Sequence, residues 1–416
     1  MTKFTTDLYE IKRNNIVFSE KITKGVGQVE SKFVKEMIYG ITKSSSIIIS
    51  NISDALHEDI KKINTIERLS NNLTKEISSQ INDNYLKEVN KVIGKEPIIL
   101  VDDSDVIKPY GKQFEYLSTV RDGSSKDKSN EKGYQVTEMV VLSEKENHPI
   151  SLFSHIHSSK EEGYKSSNSI TFRGLDEIIE KVNRKCTFIF DRGYDMNELY
   201  KYLFRNDQQF IIRVTERRKI FHKGKWYKST LLRDSRKGKI KTKILFQGKR
   251  IDCYISYLNV QITATKKNIK LVLVYGLGET PMMLATNKEI KSKEDAIGIV
   301  RNYMSRWRIE EYFRFKKQQF GFEGFRVRSL KAINNLNKML TYTIGFMGLM
   351  IEKMDRNLIA MKVLIRSKSI KDKLLFYYYQ IAKGINNILS FAKNGIQKWL
   401  KIRKQVDIQL SFKIEF

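Results

Sequence analysis

Acidic residues are the scarce charge in this chain. Its 416 residues hold 47 Asp and Glu against 76 Lys and Arg, a formal net charge of +29 with a pI near 9.7. A Lys-, Ile- and Asn-rich genome explains abundant lysine but not a shortage of acids. A field of this sign attracts a polyanion, nucleic acid first and an anionic membrane surface second. Cysteine is almost missing. Cys186 and Cys253 each sit inside an apolar, strand-like run, which excludes a disulfide framework or a cysteine zinc site and predicts buried, reduced thiols. Long apolar runs are missing too. The longest, from Tyr342 to Ile351, is too short to cross a bilayer, and the opening MTKFTTDLYEIKRNN has no apolar signal segment. There are only four prolines, and no repeat or low-complexity linker stands out. These absences predict a cytoplasmic protein without a membrane span.

What is present is a folding composition. Hydrophobic content of 41% with 11% aromatics suits a folded, soluble chain of two or three domains. Residues 1–95 read as helical, polar and basic, with Val34, Met37, Ile38 and Ile41 at helical spacing, and Ile60, Ile63 and Leu69 likewise. A helical DNA-binding module and a plain helical cap on the next domain both fit, since no helix-turn-helix signature is present. The pattern changes at Pro97. Pro97 to Val101 is a buried-strand run ending in Asp102-Asp103-Ser104-Asp105. A polar loop from Gly123 to Gly133 follows, then a hairpin of Val136 to Leu142 with Pro149 to Ile156. An amphipathic helix carrying Leu175, Ile178, Ile179 and Val182 feeds a second buried strand, Cys186 to Phe190, which ends in Asp191-Arg192-Gly193-Tyr194. A helix at Leu199 to Leu203 and a strand at Phe210 to Val214 complete residues 96–214, an order that suits a mixed sheet flanked by helices.

Residues 215–283 alternate in short runs with dense lysine, punctuated by Gly224, Gly238, Gly248 and Gly276, and read as a basic, all-β, antiparallel insertion. Residues 284–330 return to an apolar strand and then a long helix. Residues 331–416 read as helical with basic faces, ending near a Trp399-Leu400 pair.

The long helix carries the sharpest pattern. Ser292 with Asp295 reads as a capping-box start. No Gly or Pro interrupts Ile299 to Gln319, which predicts one continuous helix. At about 100° per residue, Tyr303, Arg306, Glu310 and Lys317 fall within about 60° of one another, while Glu311 points elsewhere. A solvated charged face is the commoner meaning of such a stripe. Upstream, two apolar strands each deliver an aspartate at the carboxyl end. These acids lie 89 and then 119 residues apart, so only a fold could bring them together. A strand-end Asp alone is most often a cap or turn residue. Three carboxylates gathered without a cation would repel one another. Hard divalent ions take such oxygen ligands, and a pair of them can serve both the attacking and the leaving oxygen of a phosphodiester displacement.

YMSRWRIEEYF closely resembles the signature helix of cut-and-paste DDE transposases of the insertion-sequence-4 family. LVDDSD resembles that family's first-aspartate strand and FIFDRGYD its second. The resemblance runs from about Pro97 to Arg328 and implies a ribonuclease-H-like α/β core interrupted by a β-rich insertion. It implies a metal-binding triad of Asp102, Asp191 and Glu310 with Mg²⁺ or Mn²⁺, two ions in all. Asp102, Asp103 and Asp105 compete for the first place, and the family's Asp-x-Ser/Thr spacing selects Asp102. In the family the Tyr, Arg and Lys of the helix hold transposon-end DNA, here Tyr303, Arg306 and Lys317.

The resemblance further implies nicking by water, then attack by the freed 3′-hydroxyl on the opposite strand to give a hairpin, and after reopening on target DNA. A homodimer on paired terminal inverted repeats, joined through the C-terminal helices, and a bacterial or archaeal nucleoid setting follow from it. Its rivals are a non-catalytic relic or repressor and a ribonuclease-H-like nuclease without strand transfer. Trp226, in the insertion, fits two roles, a platform for a displaced base or the core of a hairpin. His155 and His157 share a strand face without further ligands nearby and read as structural. Gly276-x-Gly278 lacks the following helix of a nucleotide loop.

Overall fold

The computed structural model describes residues 2–121, 129–246, 249–353, 358–367 and 376–396. Gly123, Gly248 and the Trp399-Leu400 pair lie outside the described residues. Five helices open the chain: α1 (Thr2–Ile22), α2 (Gln28–Ser44), α3 (Ile49–Leu56), α4 (Lys62–Leu73) and α5 (Ser79–Val89). The stripe of Val34, Met37, Ile38 and Ile41 is buried in α2 as its spacing requires. In the second stripe only Leu69 is buried, because Ile60 and Ile63 stay half exposed.

The sheet begins with β1 (Ile98–Ile107), β2 (Ser118–Arg121), β3 (Asn130–Leu142) and β4 (Pro149–His157). Helix α6 (Ser167–Val182) leads to β5 (Thr187–Phe190), and α7 (Asn197–Arg205) leads to β6 (Gln209–Arg213). β3 pairs antiparallel with both β1 and β4, while β5 runs parallel to β1 and β6 parallel to β5. The run β4-β3-β1-β5-β6, with helical crossovers into its parallel strands, is the ribonuclease-H-like mixed sheet that the resemblance implies. The apolar stretch Ile99 to Val101 is fully buried, as befits a strand with a parallel neighbour on one side and covered faces. Gly133 on β3 allows a close approach to β1, since a Cβ there would meet the Val106 carbonyl oxygen at 2.4 Å.

The insertion extends the same sheet. β7 (Lys219–His222), β8 (Lys225–Lys228), α8 (Ser229–Asp234), β9 (Ile240–Phe246), β10 (Lys249–Ile262), β11 (Lys267–Tyr275) and β12 (Met282–Thr286) follow in order. β12 pairs antiparallel with β6, and the strands of the insertion add on beyond it as β11, β10, β7 and β8. The six residues of α8 correct the all-β expectation. β10 is one long strand where short runs were expected, because its pairing with β11 continues without a break from Tyr254 to Ile262.

After β12 come α9 (Lys293–Met304) and α10 (Trp307–Phe320), then α11 (Leu330–Glu352), α12 (Leu358–Arg366) and α13 (Tyr378–Leu389). Ser292 and Asp295 form the expected reciprocal capping box at the start of α9. α11 is buried almost throughout. It packs on β4 and on α2, α4 and α5, with Asn334 bonded to both the N–H and the carbonyl of Ile156 at 2.9 and 2.8 Å. The N-terminal helices therefore share one continuous core with the sheet, the arrangement of a helical cap. No helix among the described residues is long and apolar enough to cross a membrane. Cys186 and Cys253 are buried free thiols.

Candidate active site

The site lies where β1 outruns its parallel neighbour. β5 stops at Phe190, paired with Val101. The next residue on each strand is an acid, Asp102 on one and Asp191 on the other, in the same register row and so on the same side of the sheet. β1 does not end at Asp102 as expected. It runs on to Ile107 because β3 keeps pairing with it as far as Gly133. The alternation of an extended strand then separates the adjacent acids. Asp103 turns to the opposite face, where Thr137 donates its hydroxyl at 2.6 Å. Thr137 in turn contacts His157 at 3.1 Å, and His155 and His157 lie with parallel rings. Burial pushes the Asp102 carboxyl up to about 7. The Arg306 charge opposes that rise, and the Asp191 and Asp103 charges add to it.

The helix side differs from the single rod that the sequence predicts. Ser305 and Arg306 separate α9 from α10. The amides of Arg306, Arg308 and Ile309 bond three residues back instead of four, and the Ser305 hydroxyl donates to the Asn302 carbonyl at 2.6 Å. A serine hydroxyl competing for a helix carbonyl tightens and bends the turn without any Pro or Gly. Arg306 stands at this break. Its guanidinium donates to Asp102 at 3.0 Å and to Glu310 one turn on. Those two carboxylates hold its charge more firmly than burial weakens it. Glu310 is half exposed, and Glu311 pairs with Arg314 on another side of the helix.

The remaining candidates are spread around this centre. Tyr303 is only 4% exposed and feels the charges of Arg306, Asp191 and Arg213. Burial thus places it in the interior near Asp191 and Arg306. Lys317 pairs with Glu323 at 3.1 Å, and Glu323 also accepts the Ile107 amide at 3.0 Å, at the far end of β1. Trp226 is 45% exposed on β8 at the sheet's outer limit, edge-on to Phe221 across the strand pair. It is neither enclosed in a hairpin core nor beside the acids.

Two polar clusters were given no role by the sequence pattern, although Asp195 closes the FIFDRGYD stretch. The side chain of Asp195, four residues after Asp191, is fully buried. It accepts bonds from Tyr200 at 2.9 Å, from the Thr215 amide at 2.7 Å and from Arg218 at 2.8 Å, tying the turn after β5 to the root of the insertion. Lys316 and Glu138, both fully buried, pair at 2.8 Å beneath α10. A lysine in a lysine-rich helix reads as solvated until the fold shows which face it occupies.

The donors suit a hard cation in kind. Asp102 and Asp191 offer oxygen donors side by side, and the Asp102 carboxyl, raised chiefly by burial, is one whose charged form a cation would favour. Glu310 stands on the other side of Arg306. Among the described residues no three His, Cys, Asp or Glu side chains stand close enough together to hold a metal ion, and Arg306 bridges Asp102 and Glu310.

Among curated proteins none matches this chain. A solved structure, described as the cryo-EM structure of piggyBac transposase synaptic complex with hairpin DNA, resembles it with a TM-score of 0.47 and 10% identity, over 94% of this chain and 79% of that one. The family described as Transposase DDE domain matches residues 93–344, a span that runs from β1 through both aspartate strands and the glutamate helix into α11. Since that span is more than half of the sequence, the chain belongs to the DDE transposase domain family.

Proposed function

We propose that the chain is a cut-and-paste transposase of the insertion-sequence-4 type, acting on the DNA ends of its own element. The observation that carries this reading is that Asp102, midway along β1, lies level with Asp191 just past the end of β5, with Glu310 linked to Asp102 through Arg306. Asp102, Asp191 and Glu310 would hold Mg²⁺ or Mn²⁺, two ions in all, which when bound supply Lewis-acid activation of the attacking and leaving oxygens. Arg306 has the fork geometry for a phosphate as well as for carboxylates, so the scissile phosphate competes with the acids for it. Lys317, farther along the same helix, would take a second phosphate in exchange for Glu323. Tyr303, from the interior, would pack and orient the Asp191 side of the site.

The chemistry proposed begins with water breaking the P–O bond at the element's end to leave a free 3′-hydroxyl. That hydroxyl then displaces a strand at the opposite phosphodiester, and after reopening at the target. Transposon ends with terminal inverted repeats, target DNA and a homodimer are the partners. Trp226 would serve displaced bases only at a distance from the acids. The excess of basic over acidic residues supports a DNA partner. Arg306 seated between two acids favours a second reading, a DNA-binding relative without chemistry.

One experiment separates the two. A labelled duplex taken from the DNA flanking the gene is incubated with protein across a Mg²⁺ and Mn²⁺ titration. Metal-dependent nicking that Asp191→Asn loses supports the transposase. Binding without nicking at any metal concentration leaves the non-catalytic reading.

A further inference from the structure

α10 carries two adjacent lysines with opposite fates. Lys317 reaches the surface, whereas Lys316 is fully buried. A bare ammonium in a protein interior costs several kcal/mol, yet this one is fully partnered. It donates to Glu138 at 2.8 Å, to Asn337 at 2.9 Å and to Ser154 at 3.2 Å. Glu138 also takes the hydroxyls of Ser154, at 2.8 Å, and of Ser151. The network joins α10, β3, β4 and α11. Apolar side chains could fill the same space without the desolvation cost, so what the ion pair contributes is a defined geometry.

That geometry concerns the candidate site. Glu138 is the cross-strand partner of Asp102, so both carboxylates of one row of the sheet are gripped by the same helix. Arg306 grips Asp102 at the start of α10, and Lys316 grips Glu138 within it. Glu310 lies between the grips, about 6 Å along the axis from Arg306 and about 9 Å from Lys316. The break at Ser305 means that α9 does not dictate where α10 points. If Arg306 leaves Asp102 for a phosphate, Lys316 still holds Glu138, the neighbour of Asp102 across the strand pair.

We infer that Glu138 and Lys316 are a positioning pair that sets the height and rotation of the Glu310 helix over Asp102 and Asp191. The inference rests on the reading of those three acids as the reacting centre.

The test uses the full chain carrying Glu138→Gln with Lys316→Met, which keeps volume and removes both charges, and in parallel Lys316→Arg, which keeps the charge on a longer fork. Urea denaturation, Mn²⁺ calorimetry without DNA and nicking of the flanking-DNA duplex are measured for each. Expected for the double variant is a near-parental urea midpoint, with Mn²⁺ bound about tenfold more weakly and about tenfold more Mn²⁺ needed for half-maximal nicking, the usual effect of losing a residue that orients ligands. Lys316→Arg should show the same displacement to a smaller degree. A pair that only held the core together would change the urea midpoint and leave the metal curves alone. Parental metal curves in a folded double variant overturn the inference, and so do parental curves in Lys316→Arg if the double variant fails to fold. A parent protein that neither binds Mn²⁺ nor nicks refutes the underlying reading instead, and the inference with it.

Discussion

Two pairs of neighbouring acids show how much depends on the direction of one side chain. Glu310 faces Arg306 and the strand ends, while Glu311 faces Arg314. Glu310→Gln is nearly isosteric but removes a charge, and it should slow nicking of the flanking-DNA duplex by at least about a hundredfold, or roughly 3 kcal/mol of barrier. Glu311→Gln should stay within about tenfold of the parent, because an exposed ion pair contributes little. Equal loss in the two would mean that α10 does not sit as described. The aspartates make the same comparison on a strand. Asp102→Asn should abolish nicking while the fold and DNA binding persist. Asp103→Asn keeps an acceptor for the Thr137 hydroxyl and should retain activity. An inactive Asp103 variant beside an active Asp102 variant would move the site to the other face of the sheet.

At the scale of elements, the site depends on the ends of strands and on a broken helix. β5 ends one residue before Asp191, and the turn that follows is held by Asp195 through Tyr200, Thr215 and Arg218. Asp195→Ala leaves Arg218 without its buried partner and should lower stability by about 3–5 kcal/mol. Urea denaturation of the full chain measures this. A midpoint close to the parent's would show that the root of the insertion is held by its strand pairing alone. The helix break is set more softly. Ser305 bends the chain through one hydroxyl bond, and the orientation of α10 then follows from where Arg306 and Lys316 find their partners.

At the scale of the molecule, one core joins the N-terminal helices, the sheet and the C-terminal helices, so acid should unfold it as a unit. His148 and His157 are almost fully buried, and burial lowers both to about 4, while His155 falls to about 3. The His148 ring accepts the Tyr377 amide at 2.8 Å, which requires a neutral Nε2. A histidine whose folded pKa is depressed binds fewer protons than in the unfolded chain. The His148 contribution should therefore be full above about pH 6.5 and fall by about 3 kcal/mol as pH drops toward 4, while Asp102, raised by burial, contributes in the opposite sense over that range. Thermal melts from pH 7.5 to 4.5 test this, and the slope should be shallower in His148→Gln. The same slope in both would acquit that residue. The whole-molecule charge of +29 makes a different expectation. Binding to the flanking-DNA duplex should weaken steeply with salt and should not need metal, and a flat salt dependence would count against a phosphate-driven interface.

The sequence by itself determined the strands that bear Asp102 and Asp191, the hairpin between them, the capping box at Ser292 and the helical spacing of Arg306 and Glu310. Each of these is written in local periodicity or in residues a few positions apart, where steric and hydrogen-bonding preferences act without the rest of the fold. The tertiary structure alone decided the rest. Which of Asp102 and Asp103 faces Asp191 depends on strand register, a long-range pairing. Tyr303 went inside and Lys316 became a buried cation because the sheet and α11 cover those faces of their helices. Ser305 broke a helix that no Pro or Gly had marked. Such outcomes are set by which surfaces meet, and residues more than a hundred positions apart in sequence, such as Glu138 and Lys316, meet only once the chain has closed.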